Sequence, residues 1–401
     1  MTLSKNNPPV AVKRQHLRDI RTRNRSRLLR LLLSNGALSR RDLNELSGLT
    51  LASVSRITKE LIDEDICYEG DSYRTDNSRG RSRVEVRINP QGATVVAICL
   101  SAYSWQIAIT DLLGTTTYQQ EIPGKINKDP HATVRFIGEY LDTLIAQGDV
   151  QREKLLGATV AIAGSIDHQS GELLDAPLLD WHGVAVREEL RAVLGIPVRM
   201  HNIADALCMS YINEPGEETK SSQSLFLVHT AIGMGASLAM NGQIVRRSGG
   251  EGWIEQIRVP EFGHGDQKPM RLGEISSGRA ILAAIQDDTR KSKRTKINTA
   301  TQLQAAVEAA NNSNPREQSL FVTAGKALGR SLVGLTAAYL PDRIVLAGPL
   351  AGAQAYSEAV KDGFHEIACD TDSSQIEITT NRTAYIQAAQ NLALREYVFM
   401  Q

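Results

Sequence analysis

Short hydroxyl side chains and long cations follow one another between residues 50 and 59, and this combination suits contacts with duplex DNA. Phosphate oxygens and base edges are hydrogen-bonding groups, and Ser, Thr, Arg and Lys are among the side chains that reach them. The polar candidates are Thr50, Ser53, Ser55, Arg56, Thr58 and Lys59. Apolar residues at 3–4 spacing on the other face predict a helix that is buried on one side; they are Val54, Ile57, Leu61 and Ile62.

A second, shorter helix must precede this one if the polar face is to be presented to a groove. Ser39 predicts the N-cap of that helix, and Leu43 and Leu46 predict its buried side. Gly48 predicts a sharp turn, after which Thr50 caps the next helix. Two helices joined in this way are typical of a helix-turn-helix, whose second helix lies in the major groove. An ordinary pair of surface helices is the alternative.

A longer helix and a hairpin complete the N-terminal module. Residues 15–34 predict a helix that ends at an Asn-Gly pair, and residues 67–69 and 84–88 alternate like two paired strands. Three helices followed by a hairpin are the order of a winged helix-turn-helix, which we place at residues 13–90. Residues 1–12 are polar with a Pro-Pro pair, and this composition predicts a disordered tail.

Basic side chains are concentrated in this N-terminal part. Residues 1–90 hold 18 Lys and Arg against 11 Asp and Glu, whereas the remainder holds 27 against 34. A basic head on an acidic body indicates that the head meets a polyanion. We expect base or near-base contacts from Ser53, Ser55 and Arg56, and backbone contacts from Arg40, Arg41 and Lys59. The tip arginines Arg79, Arg81 and Arg83 could reach a minor groove or phosphates. The alternative for the three arginines at the hairpin tip is a solvated loop.

Length and composition bound the remaining possibilities. The 401 residues predict two or three domains, and no apolar run approaches the ~20 residues of a membrane helix. The polar, basic N-terminus does not resemble a secretory signal. The four cysteines form no CxxC pair, so they predict free thiols in a reducing, cytoplasmic compartment; they are Cys67, Cys99, Cys208 and Cys369.

Beyond residue 90 the sequence predicts an α/β body with two similar halves. Each half opens with a meander of strands and continues with alternating helices and strands. We place the first lobe at residues 91–202 together with about 380–401, and the second at 203–379. A cleft between two such lobes is the usual place for a small ligand.

The whole chain resembles the ROK group of sugar kinases and sugar-responsive repressors. The likeness rests on the order and spacing of the stretches at 160–167, 179–184, 196–202, 230–235, 241–242 and 341–348, after the helix-turn-helix and the Arg-Gly-Arg-Ser run. The resemblance implies an actin-like, sugar-kinase-like two-lobed body with an N-terminal winged helix-turn-helix domain.

The residues that serve phosphoryl transfer in the family's kinases are missing here. Those kinases open the body with an Asp-x-Gly-Gly-Thr loop, and residues 99–103 of this chain read Cys-Leu-Ser-Ala-Tyr. They also use an Asn-Asp pair whose Asp accepts the sugar hydroxyl proton, whereas Asn202 is followed here by Ile203. Only part of a second phosphate loop remains, at residues 233–235. We therefore expect a protein that is not an enzyme and needs no cofactor.

The family's sugar and zinc motifs are also altered. Trp253 stands in place of a Glu, and Gln256 in place of a zinc-binding His. Residues 260–272 hold no cysteine, although His264 and Asp266 remain, so no metal is expected. A further family Glu is matched by a Gly, and the adjacent Glu274 could substitute for it. The effector candidates that remain are Asn202, Trp253, Gln256 and Glu274.

These observations predict a DNA-binding transcriptional regulator of carbohydrate metabolism, a repressor, with a body that senses an effector and dimerises. The effector is a sugar or sugar derivative, a different metabolite, or absent, because Trp253 could instead fill the cleft as core. Two other functions stay open: an ATP-dependent sugar kinase with an accessory DNA-binding head, and a regulator controlled by a protein partner.

Overall fold

The computed structural model describes residues 10–73, 83–101, 104–123, 128–212, 224–246, 254–259, 269–287, 299–368 and 375–399. Within these ranges a small head precedes a body with two mixed five-stranded sheets. The predicted two-lobed α/β body is therefore confirmed, and the head has the three helices and the paired strands predicted for a winged helix-turn-helix. No helix in these ranges is long and apolar enough to cross a bilayer.

The head consists of three helices and a three-stranded sheet. Its helices are α1 (Val10–Asn35), α2 (Arg40–Ser47) and α3 (Leu51–Asp63), and its strands are β1 (Ala37–Ser39), β2 (Cys67–Tyr73) and β3 (Arg83–Ile88). The antiparallel sheet has the order β1-β3-β2. Because α1 begins at Val10, residues 10–12 are helical, and their assignment to a disordered tail was wrong. Residues 1–9 lie outside the described ranges.

Local side-chain chemistry sets where the two short helices begin and end. Ser39 and Asp42 form a capping box: Ser39 Oγ accepts from the Asp42 N–H at 3.2 Å, and the Asp42 carboxylate accepts from the Ser39 N–H at 3.0 Å. Gly48 ends α2 with a φ of 65°, a left-handed conformation that costs glycine little. Thr50 then caps α3 by accepting from the Ser53 N–H at 3.3 Å. The predicted turn is thus built as the sequence indicated.

The first lobe is built on a five-stranded sheet with the order β11-β7-β4-β5-β6. Its strands are β4 (Thr94–Leu100), β5 (Ser104–Asp111), β6 (Thr116–Pro123), β7 (Leu155–Ile162) and β11 (Val198–Asn202). Helices α4 (Pro130–Gln147) and α5 (Val186–Leu194) accompany them. A second small sheet, not anticipated from the sequence, consists of β8 (Ser165–Ile166), β9 (Leu173–Ala176) and β10 (Trp181–Val184).

The second lobe repeats this pattern with the strand order β14-β13-β12-β17-β18. Its strands are β12 (Leu225–Thr230), β13 (Met234–Met240), β14 (Gln243–Ile244), β17 (Arg343–Ala347) and β18 (Glu377–Asn381). A two-stranded ribbon comprises β15 (Arg258–Val259) and β16 (Met270–Arg271). The helices are α7 (Gly273–Ser276), α8 (Gly278–Asp287), α9 (Thr299–Asn311), α10 (Pro315–Tyr339) and α11 (Gln354–Ala368).

Two helices lie between the large sheets and join the lobes. They are α6 (Ile203–Ile212), which packs on β12 and β13, and α12 (Tyr385–Leu394), which packs on β4 and β7. The two helices also contact each other. The shared core at this position is formed mainly by small side chains of both sheets and both helices. Any change in the angle between the lobes must therefore repack α6 against α12.

The head and body share one apolar core. A π-helical turn, Arg395–Phe399, follows α12 and packs against α1. Leu28, Leu29 and Leu32 of α1 belong to the same buried cluster as Tyr397 and Val398. The head is therefore attached through the C-terminal end of the chain as well as through the connection at residue 89. The domain boundary at residue 90 does not separate two independent cores.

Helices α10 and α11 approach so closely that a glycine is required between them. A Cβ atom added at Gly329 would lie 2.1 Å from the Val360 carbonyl oxygen, whereas one added at Gly334 on the same helix would meet nothing within 4 Å. We expect Gly329→Ala to lower the free energy of unfolding by about 1–3 kcal/mol. Gly334→Ala is expected to be neutral or to raise it by ~0.5–1 kcal/mol. Urea unfolding followed by circular dichroism measures both, and equal losses would contradict the close approach.

Candidate nucleic-acid interface and effector cleft

The outer face of α3 carries the side chains that the sequence proposed for DNA. Ser55, Arg56 and Lys59 are exposed, and Ser53 is partly buried. The side chains that hold α3 on the head are the buried Val54, Ile57 and Leu61. Thr50 is exposed at the N-cap. An exposed, capped helix with hydroxyl and cationic side chains can offer donors to a groove without disturbing its own core.

Two assignments on these helices were wrong. Thr58 is fully buried. Its hydroxyl donates to the Val54 carbonyl at 2.9 Å and accepts from Arg40 Nε at 3.0 Å, so it is not available to DNA. Leu46, placed on the buried side of α2, is 51% exposed. The eight-residue helix buries Ser47 in addition to Leu43.

Arg40 and Arg83 have carboxylate partners inside the head. Arg40 lies 2.9 Å from Glu69 of the wing, in addition to its bond with Thr58, and Arg83 lies 3.0 Å from Asp42. Both arginine side chains are about a quarter exposed, at 27% and 26%. These contacts tie the wing to α2 and α3, which favours a structural role for the two arginines over contacts with phosphate.

The remaining basic candidates differ in their surroundings. Arg41 is exposed and pairs with Glu45 one turn along α2 at 3.0 Å. Arg56 lies 3.6 Å from Glu60. Such exposed pairs contribute little to stability, so a phosphate can replace the carboxylate partner at small cost. Arg79 and Arg81, at the tip of the predicted wing, lie outside the described residues.

A cavity of about 520 Å³ lies in the cleft between the two lobes. The first lobe contributes Ile162 and Leu178, and α6 contributes Ile203 at its N-terminus. The second lobe contributes the turn before β13 and the side chains of Leu303 and Val307 on α9. A cavity of this size and position suits one small organic molecule.

Among the four effector candidates, the cleft includes Asn202. Its Oδ1 accepts from the Asp205 N–H at 2.6 Å and so caps α6. Gln256 and Glu274 are exposed and do not line the cleft; Glu274 instead accepts from the Arg271 N–H at 2.8 Å. Their assignment to the effector site stays a prediction, which the cleft lining does not support. Trp253 lies outside the described residues.

Glu255 is the site residue that the sequence did not indicate. Its Oε1 accepts from the Met234 N–H at 2.5 Å and its Oε2 lies 3.5 Å from Arg279. Met234 is the middle residue of the surviving Gly-x-Gly loop, where family kinases hold phosphate. Here the Met234 N–H donates to the carboxylate of Glu255 instead. A phosphate group would meet like charge at this position.

Among the described residues, the two positions that carry acids for phosphoryl transfer in the family's kinases hold no carboxylate here. Ile203 is buried at the position of the catalytic base, and Cys99 is buried where the first loop carries an acid. Burial raises the pKa of the Cys99 thiol to about 12, so at pH 7 it carries no charge where the family's loop carries a carboxylate. The nearest acid along the chain, Asp205, accepts from Ser237 Oγ at 2.6 Å and from Arg246 Nε at 3.4 Å, and it does not line the cleft.

Behind the cleft, polar side chains, buried except for Arg246, form a continuous chain of contacts between the two lobes. His201 Nε2 lies 2.7 Å from Glu396 Oε1, and its Nδ1 lies 3.2 Å from an Arg246 nitrogen. Glu396 also accepts from Thr159 Oγ1 at 2.7 Å. Burial alone would raise the pKa of Glu396, but the hydrogen bonds from His201 and Thr159 hold it below its usual range.

No three His, Cys, Asp or Glu side chains in the described ranges converge on a position for a metal ion. His264 and Asp266 lie outside those ranges.

His229 contacts Tyr385 at the inner end of the cleft, and its titration gives a pH test. Its Nε2 lies 2.7 Å from the Tyr385 hydroxyl, and burial lowers the pKa of His229 to about 4. Because this pKa lies below the unfolded value of about 6.5, its contribution to stability is complete above pH 6.5 and is lost as the pH falls towards 4. Between pH 7 and pH 5, the wild type should lose on the order of 1 kcal/mol more than His229→Gln in denaturant titrations. Equal losses of unfolding free energy in the wild type and in His229→Gln would contradict the lowered pKa of His229.

A protein-family model described as the ROK family matches residues 95–390. The chain belongs to the ROK family. The matched residues include both large sheets and the helices between them, whereas the DNA-binding candidates precede them. The predicted resemblance is therefore confirmed for the body, which includes the cleft.

Named relatives of this ROK chain include transcriptional regulators. It is 26% identical to the xylose repressor of Caldicellulosiruptor bescii over 229 residues, which are 57% of this chain and 56% of the relative. It is 22% identical to the DNA-binding transcriptional dual regulator NagC of Escherichia coli K12, over 82% of this chain and 80% of the relative. The chain thus spans little more than half the length of the first of these relatives.

Solved structures show the same fold. A crystal structure of a ROK family transcriptional regulator, described as a homolog of the E. coli MLC protein, matches 95% of this chain and 98% of its own with a TM-score of 0.75 at 20% identity. A ROK glucokinase from Streptomyces griseus, in complex with glucose and AMPPNP, matches 75% of this chain and 98% of its own with a TM-score of 0.60 at 14% identity. The kinase thus leaves a quarter of this chain unmatched, whereas the regulator extends over nearly all of it.

Proposed function

We propose that this ROK protein is a transcriptional repressor that binds operator DNA with α3 and lacks kinase activity. The observation that carries the proposal is the exposed set of Ser55, Arg56 and Lys59 on α3 of a capped winged-helix head. The names of the relatives support regulation of carbohydrate metabolism. The buried free thiols, which include Cys67 and Cys208, suit a cytoplasmic protein.

We infer that the protein acts as a dimer formed through its body. Two heads would then contact successive major grooves about 34 Å apart, or a multiple of that distance, on a pseudo-palindromic operator. Arg41, Arg56 and Lys59 would contact the backbone or bases, with Thr50, Ser53 and Ser55 near the base edges. Arg79 and Arg81 would reach the backbone or minor groove from the wing.

The buried polar contacts offer a route from the cleft to the head. Asn202 lines the cleft and caps α6, and Asp205 in the first turn of α6 contacts Arg246 of the second lobe. Arg246 contacts His201, and His201 contacts Glu396 of the π-helical turn that packs on α1. A ligand that binds one lobe angle more tightly would thereby alter the position of the head.

The absence of kinase activity has its own test. Ile203 cannot accept a proton, and Glu255 blocks the backbone donor of the phosphate loop. We expect no ATP-dependent turnover above background in a coupled assay over a panel of hexoses, pentoses and N-acetylated sugars. Turnover of about 1–100 per second, the range of ordinary kinases, would contradict this part of the proposal.

Fluorescence anisotropy with DNA from the region upstream of the protein's own gene tests the DNA-binding function. At physiological salt the full chain should bind this DNA at least ~10³-fold more tightly than a scrambled duplex of equal length. Equal, salt-sensitive affinity for both duplexes would overturn the proposal, because it would show electrostatic binding without sequence recognition.

A ligand screen by thermal shift separates control by a metabolite, which raises the melting temperature, from control by a protein partner.

A further inference from the structure

We propose that the cleft takes an uncharged ring compound with both an apolar part and hydroxyl groups, such as a glycoside with an apolar aglycone, and rejects phosphorylated and carboxylated molecules. The inference rests on the proposed function, since it names the effector class of a sensing body. It is argued from the walls of the cleft, their charge and their hydrogen-bonding groups.

Apolar side chains form much of the cleft wall. Leu178 and Ile203 stand on one side, and Leu303, Val307 and Pro349 stand on the other. Hydroxyl groups pressed against these walls would lose their bonds to water without replacement, which weakens binding. A ligand with an apolar ring or chain against α9 gains from burial of the same surface. A fully hydroxylated monosaccharide therefore matches this lining poorly.

The charge of the described lining disfavours anions. Glu121 and Glu255 are its carboxylates, and no Lys or Arg side chain belongs to it. His229 is neutral at pH 7, because burial lowers its pKa to about 4. Arg279 lies 3.5 Å from Glu255 but does not line the cavity. An anionic ligand would also find the Met234 N–H already bonded to Glu255.

Uncharged hydrogen-bonding groups complete the lining. Asn202, Gln304 and Tyr385 belong to the same lining. Asn202 Oδ1 accepts from the Asp205 N–H, Gln304 Nε2 donates to Glu308, and the Tyr385 hydroxyl lies 2.7 Å from His229 Nε2, so a ligand hydroxyl would add to or replace these contacts. Amide and hydroxyl groups can donate to and accept from ligand hydroxyls without requiring a charge. The cavity of about 520 Å³ is thus amphipathic, with polar groups for part of a ligand and apolar walls for the rest.

Calorimetric titration of the full chain with a matched pair of probes tests the proposal. Phenyl β-D-glucoside and phenyl β-D-glucuronide differ by a hydroxymethyl group against a carboxylate. We expect the glucoside to bind at least ~10-fold more tightly than the glucuronide, and more tightly than glucose or ATP. Equal or tighter binding of the glucuronide, glucose or ATP would overturn the inference, and so would no measurable binding of the glucoside.

Two variants separate the role of charge from general damage. Glu255→Gln should reduce the preference for the glucoside over the glucuronide several-fold, whereas Glu139→Gln, at an exposed position on α4, should leave it unchanged. An unchanged preference in Glu255→Gln would count against the charge argument. Operator binding is measured on the same samples: specific DNA binding without the ligand preference overturns the ligand class alone, whereas loss of sequence-specific binding overturns the proposed function.

Discussion

Replacement of both Arg56 and Lys59 by alanine should weaken binding to the operator by ~100-fold or more. A bidentate contact from an arginine to a base is worth about 1–3 kcal/mol, and a lost phosphate contact adds to it. Both side chains are exposed, and alanine is the best helix former, so α3 should stay folded. Anisotropy measurements over a range of salt concentrations give both the affinity and the slope of its logarithm.

The salt dependence shows what each residue contacts. Loss of a phosphate contact should flatten the slope by about 0.9, whereas loss of a base contact should weaken operator binding more than binding to scrambled DNA. The matched control is the double variant Arg135→Ala and Arg191→Ala, because these arginines are exposed on helices of the body, α4 and α5. Unchanged operator affinity in the α3 variant, or an equal loss in the body variant, would contradict recognition by α3.

Replacement of Tyr397 by alanine should lower the free energy of unfolding by about 3–5 kcal/mol, because it opens a cavity where head and body meet. Tyr397 is 4% exposed, and its hydroxyl donates to the Ala158 carbonyl at 3.0 Å and the Pro197 carbonyl at 3.2 Å. A Cβ atom at Gly157 would lie 2.4 Å from the ring, so the strand has no side chain that could refill the space.

Tyr397→Phe is the matched comparison. It keeps the ring and removes the hydroxyl, so we expect a smaller loss of about 1–2 kcal/mol. Denaturant unfolding with one probe in the head and one in the body measures both variants. We also expect operator affinity in Tyr397→Ala to respond less to a cleft ligand than in the wild type. Equal losses in the two variants, or none in either, would contradict a head that is fixed through the C-terminal turn.

Sequence reasoning succeeded where a residue acts on its near neighbours. The capping of α2 by Ser39, the turn at Gly48 and the cap at Thr50 each depend on residues within four positions. The buried face of α3 follows from 3–4 spacing in the same way. Nine of the ten strands in the two large sheets are five to eight residues long, and most of these are apolar enough to be identified; the exception in length is β14, with two residues.

Sequence reasoning failed where a residue contacts another that is distant in the chain. Thr58 was placed on the exposed face because no pattern within α3 indicates that Arg40, 18 residues earlier, donates to its hydroxyl. Tyr397 contacts the Ala158 carbonyl more than 200 residues away, so no local pattern could reveal how the head is attached. The small sheet β8–β10 was missed because strands of two to four residues carry no measurable period.

The contacts of Glu255 at the cleft were not predicted, for a related reason. Alignment of this stretch to the family motif assigned roles to Gln256 and Glu274 by position alone. The short turn at Ile254–Gln256 instead directs Glu255 towards the Gly-x-Gly loop, where the Met234 N–H meets it. Which of two adjacent side chains faces a cleft depends on the backbone of the turn, and this loop has no regular period.

Selection from a pool of random duplexes by the full-length protein tests most directly whether α3 recognises DNA sequence. The enriched duplexes should share two inverted half-sites whose centres are 10–10.5 base pairs apart, or a multiple of that spacing. Arg56→Ala should lose its preference at one position in each half-site and retain the spacing. A wild-type pool without a common motif would contradict the proposal that this ROK protein is an operator-binding regulator.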